Sequence, residues 1–124
     1  MRYSSYKIGI LEIDIQHSNI DYLLTELAKE ELNKEVSEEK FELLRNALVH
    51  HFDFEEKWSQ ANNKNFDTDH QKSHKKLLEK LNELHNQFKK NELNTCEISL
   101  TIKMELLKHV QNHDMRLEAK TVKK

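Results

Sequence analysis

Proline is absent from this chain of 124 residues, and glycine occurs once. Tight β-turns draw heavily on those two residues, so a sandwich or barrel with many reversals is excluded. Cysteine also occurs once, at Cys96. That leaves no internal disulfide framework and fits a reducing compartment. No apolar run approaches the roughly 18 residues of a membrane span. The segment Met1–Lys7 lacks the apolar stretch of a signal peptide. A cytoplasmic protein with no membrane partner is therefore expected. An excess of one charge is missing too: 20 basic residues face 22 acidic ones, for a net charge of −2. That balance argues against a nucleic-acid groove. The length suits one domain, 1–124, without room for two full cores.

What is present suits long amphipathic helices: 34% of residues are charged and 36% hydrophobic. Residues 1–16 read as an extended arm, because Ile8, Ile10, Ile13 and Ile15 are β-branched and Gly9 interrupts them. With no second strand to pair with, the arm is expected to lie along a bundle. A first helix spans about Gln16 to Asn33, with Ile20, Leu23, Leu24 and Leu27 at helical spacing. Ser37 is placed to cap a second helix, followed by Glu38 and Glu39 at the positive end of the dipole. Its inner face reads Phe41, Leu44, Leu48, His51, Glu55 and Trp58, and it ends near Ala61. A third helix starts at Asp67 or Thr68, with Thr68 and Gln71 as a capping box. It carries His70, His74, Leu77, Leu81, Leu84 and Phe88 inward. After a polar break at Asn91–Asn94, a fourth helix carries Ile98, Ile102, Leu106, His109, Val110, His113 and Leu117. The expected fold is an all-α, up-down-up-down four-helix bundle over residues 17–120, with a basic tail at 121–124.

The eight histidines are the unusual feature. A soluble helix normally turns Leu, Ile or Ala inward, yet here His falls on the apolar stripe of every helix. His17 lies seven residues before Leu24. His51 and Glu55 are four apart on one face, as are His70 and His74, and His109 follows Leu106 by three. Neutral imidazole is a good ligand for iron, zinc or copper, and a carboxylate can join two ions. Inward His and Glu from facing helices are how bundles build metal sites. A single inward His is more often a hydrogen-bonded core residue, and the inference rests on the set. His50 and His85 face other ways and read as solvated surface residues.

These elements resemble the hemerythrin family, the non-haem di-iron oxygen-binding proteins, in its single-domain bacterial form. The matching segments are Gly9-Ile10, then Asp14-Ile15-Gln16-His17, then His51-Phe52-Asp53-Phe54-Glu55-Glu56, then His70 to His74, and His109 with Asp114 five residues on. The resemblance implies two irons joined by a solvent-derived oxygen. His70, His74 and His109 would hold one, His17 and His51 the other, with Glu55 and Asp114 shared. The second iron would keep a position for dioxygen, in a pocket of Ile20, Phe52, Leu106 and Val110. Helical periodicity alone selects His113 rather than Asp114 as the partner of His109, because a step of five turns the side chain by about 140°. The family pattern selects Asp114. Tyr3 and Tyr6 stand in the arm where the family often has Trp, and Glu105 stands where it commonly has another. Glu105 either borders the oxygen pocket or turns outward into solvent.

The implied function is reversible oxygen binding for carriage, storage or scavenging, without enzymatic turnover. Di-iron oxidases are richer in carboxylates and carry Glu-x-x-His pairs, of which this chain has none. An oxygen or redox sensor would ordinarily carry a signalling domain as well. A structural zinc site needs four ligands, fewer than the seven assembled here.

Overall fold

In a computed structural model of the chain, the described residues are 10–29, 34–62 and 68–114, the side chains of His113 and Asp114 excepted. They form four helices: α1 Leu11–Leu27, α2 Lys34–Ala61, α3 Thr68–Lys89 and α4 Thr95–His109, which runs on into a π turn at Val110–Asp114. No strand occurs among the described residues. The chain is an all-α four-helix bundle, as the stripes required.

Three of the expected boundaries are wrong, one of them the end of α1, which stops at Leu27 and not near Asn33. Residues 11–16 belong to α1 and not to an extended arm: Ile10 is extended as the N-cap, and its carbonyl accepts from the Asp14 amide at 2.8 Å. Ile13, His17, Ile20, Leu24 and Leu27 are all buried at steps of three and four. The stripe therefore reaches one turn further back, and burial of Ile13 outweighs the strand preference of a β-branched residue. Ser37 does not cap α2: the helix is already running at Lys34, and Ser37 is buried on the stripe that continues through Phe41, Leu44, Leu48, His51 and Glu55. Residues 1–9 of the arm, residues 63–67 before Thr68, Leu117 and the 121–124 tail lie outside the described residues.

The other ends follow local chemistry. Asn91 sits in the left-handed region at φ 62. The Glu92 amide reaches back to the Gln87 carbonyl at 2.9 Å and the Asn91 amide to Phe88 at 3.0 Å. This pair of bonds closes α3, with asparagine tolerating the conformation. Asn94 then caps α4: its side chain accepts from the Glu97 amide at 2.8 Å, while Glu97 accepts from the Asn94 amide at 3.0 Å.

Cross-helix contacts fix the directions. Lys40 pairs with Glu26 while His51 meets Gln16, so α1 and α2 run oppositely. His85 meets Glu38 while His74 meets Glu55, so α2 and α3 do too. Ser99 donates to the Leu24 carbonyl and Lys103 pairs with Asp21, which sets α4 against α1. One end of the core is therefore apolar: Leu24, Leu27, Phe41, Leu44, Leu81, Leu84, Phe88 and Ile98 are all buried. Each such side chain contributes roughly 1.5–3 kcal/mol of burial. The other end is where the histidines meet. No helix among the described residues is long and apolar enough to cross a membrane.

Candidate metal centre

All four helices send polar side chains into that second end. Ile13 and Ile20 flank His17 on α1, so burying them buries the imidazole between. Leu48 does the same for His51 and Glu55 on α2, Leu77 for His70 and His74 on α3, and Leu106 for His109 on α4. His17, His51 and Glu55 have no exposed surface, and His70, His74 and His109 retain 4%, 6% and 2%.

The six residues fall into two groups that share one carboxylate. Glu55, His70, His74 and His109 form the first, and His17, His51 and Glu55 form the second. Within each group the candidate ligand atoms all lie within 4.8 Å of one another. The three rings of the first group make a near-equilateral triangle, with centroids 4.6, 4.9 and 4.7 Å apart. Glu55 Oε1 lies 2.9 Å from His74 Nε2, 3.5 Å from His70 Nε2 and 3.9 Å from His109 Nε2. Its other oxygen, Oε2, faces His51 Nε2 at 3.3 Å. His51 Nε2 in turn lies 3.1 Å from His17 Nε2.

Protonation follows from these contacts. Burial pushes His74 down to about 4, against the opposing pull of Glu55, so it is neutral near pH 7. Neutral is the form in which imidazole binds metal. The Gln16 amide oxygen accepts from Nδ1–H of His51 at 2.7 Å. A neutral His51 then has its lone pair on Nε2, and in the 3.1 Å contact the proton belongs to His17. His51 Nε2 and Glu55 Oε2 face each other at 3.3 Å. Positive charge between them, a proton on the imidazole or a metal cation, makes that contact attractive. Five imidazoles and a carboxylate converging in a dry core fit a metal ion of the iron, zinc or copper kind.

Among the residues expected to line an oxygen pocket, Ile20, Phe52, Leu106 and Val110 are all buried. Phe52 borders both groups: it stacks on His74 at 3.9 Å and 13°, 5.6 Å from His51 and 5.8 Å from His109. Glu105 is half-buried and lines a groove between α3 and α4 together with Ser73 and His109. Asp114 closes the π turn, and its side chain, like that of His113, lies outside the described residues. The turn bears on the backbone register: a π turn closes hydrogen bonds at a step of five. Position 114 thus comes round nearer to the face of position 109 than the α repeat allows.

His50 is exposed, as expected. His85 is not a surface residue: it is 7% exposed, and both its nitrogens are engaged by Glu38 and Arg45. Its spacing of four from Leu81 was the available signal. Ser73, whose Oγ lies 2.7 Å from Nδ1 of His109, is not foreshadowed by any stripe or motif. Compared with protein-family models, with curated proteins and with solved structures, the chain finds no match.

Proposed function

We propose that the chain is a hemerythrin-like protein that binds dioxygen reversibly at a non-haem di-iron centre, serving as a cytoplasmic carrier, store or scavenger. The observation that carries this reading is Glu55, a fully buried carboxylate whose two oxygens face two different histidine groups. A shared carboxylate is what a pair of ions needs and a single ion does not. His70, His74 and His109 would hold one iron and His17 and His51 the other, with Glu55 between them. Asp114 is the second shared carboxylate by its place in the motif. Two ferrous ions would supply the electrons that reversible oxygen binding requires.

The chain's own contribution is to bind, orient and exclude water. Gln16 orients His51. Phe52 lies flat against His74, and Ile20, Leu106 and Val110 add buried apolar surface at the same end. A dry surround disfavours proton delivery and so favours binding over turnover. The histidine-rich donor set supports the same choice over a di-iron oxidase.

A mononuclear zinc site is the second reading, favoured by the four donors Glu55, His70, His74 and His109. It leaves without a role His51, which faces Glu55 Oε2, and His17, which meets His51. Elemental analysis after iron-replete expression separates the two. Two irons per chain, with an absorption spectrum that differs between air and dithionite, is the expected result. One zinc per chain would replace this reading with the second.

A further inference from the structure

We infer that Ser73 is a positioning residue for the metal centre: its hydroxyl accepts from Nδ1–H of His109 and so keeps the lone pair of His109 on Nε2. The inference rests on the metal-centre reading above and adds to it a residue outside the ligand set. A neutral imidazole has one N–H and one lone pair, and only the lone-pair nitrogen can bind a metal. For His109 the nitrogen facing the shared carboxylate is Nε2, 3.9 Å from Glu55 Oε1. The ring is also within 5 Å of the rings of His70 and His74, between centroids at 4.9 and 4.7 Å. The proton therefore has to reside on Nδ1, and what meets Nδ1 is Ser73 Oγ at 2.7 Å.

The helix geometry explains why serine can do this. Ser73 precedes His74, so it is turned off the inner stripe toward α4 and is only half-buried. It lines the groove between α3 and α4 with Lys72 and Glu105. From there the hydroxyl can donate its own proton outward while an oxygen lone pair accepts from His109. The second histidine group has a matching support of the same length on the same ring nitrogen, the Gln16 oxygen at 2.7 Å from His51 Nδ1. Each group thus has one ligand held from behind, and such supports tune metal affinity by about 10- to 100-fold.

The test compares wild type, Ser73→Ala and Ser73→Thr as full chains. Alanine is a good helix former, and far-UV circular dichroism checks that all three fold alike. Histidine-labelled nitrogen NMR on metal-free protein at pH 8 reads which nitrogen of His109 carries the proton. Cobalt(II) competition titration reads affinity. In wild type the proton is expected on Nδ1. Ser73→Ala should move it toward Nε2 and weaken cobalt(II) binding by about 10- to 100-fold, and Ser73→Thr should restore both. A Ser73→Ala chain with the wild-type proton position and wild-type cobalt(II) affinity would overturn the inference. So would a wild-type His109 that carries its proton on Nε2. Neither readout involves iron or oxygen. A wild type that gains no oxygen-dependent colour would therefore end the oxygen-binding reading and leave the Ser73 result standing.

Discussion

Both ends of this bundle bury histidine, and they do so for different reasons. At the apolar end His85 stacks on Phe41 at 4.1 Å and 12°. It donates from Nε2 to Glu38 at 2.7 Å and accepts at Nδ1 from Arg45 at 3.0 Å. Arg45 is itself tied to Asn82 and Glu42. Both nitrogens are occupied by protein, and a guanidinium stands beside the ring, so a metal cation has neither a lone pair nor a favourable field there. At the other end the Nε2 atoms of five histidines converge on one carboxylate group or on each other. Burial therefore does not distinguish a candidate ligand from a structural histidine. The direction in which the ring nitrogens point does.

The sharpest way to break that contrast is to remove the point of convergence. Glu55→Gln keeps the size of the side chain and deletes its charge, so iron should fall from two per chain to one or none by elemental analysis. His85→Ala, at a residue that is also buried, should leave the iron content unchanged. An equal loss from both would mean that the two ends do not differ as described.

Acid gives the next largest effect. In the metal-free chain His74 titrates near 4 in place of its ordinary 6.5. The unfolded chain therefore binds more protons between those values, and stability is complete above about pH 6.5 and declines as pH falls toward 4. At about 1.36 kcal/mol per unit the loss approaches roughly 3 kcal/mol. Thermal unfolding from pH 7.5 to 4 should show the decline, with a shallower slope in His74→Leu. A melting temperature flat across that window would contradict the burial argument.

His85→Ala should cost about 1–3 kcal/mol in stability, because it removes a buried ring stacked on Phe41 together with its bonds to Glu38 and Arg45. Chemical denaturation measures this directly. His50→Ala, on an exposed face, should stay within about 0.5 kcal/mol of wild type and keep its metal. A large effect at His50 would show that exposure is a poor guide in this bundle.

Much of this architecture is readable from residue spacing. The stripes of Leu24 and Leu27, Leu44 and Leu48, and Leu77 and Leu81 place the helices, and the same period places His17, His51, Glu55, His70, His74 and His109 on their inner faces. Spacing failed where a tertiary contact decided the outcome. Ile13 is helical because a core receives it, not because of its own preference. Ser37 looked like a cap because serine favours that position, but the chain was already helical and buried there. His85 and Ser73 are defined by partners 47 and 36 residues away, Glu38 and His109, which no local pattern encodes. The π turn after His109 is likewise invisible to an α-helical period.

Oxygen cycling is the most direct test of a shared two-iron centre. The iron-loaded chain is reduced anaerobically, titrated with dioxygen while its visible absorption is followed, and then evacuated. One dioxygen taken up per two irons, with absorption that appears on addition and fades on evacuation, is the expected result. No uptake by a chain holding two irons, or a spectrum that stays fixed after the first addition, would contradict reversible oxygen binding.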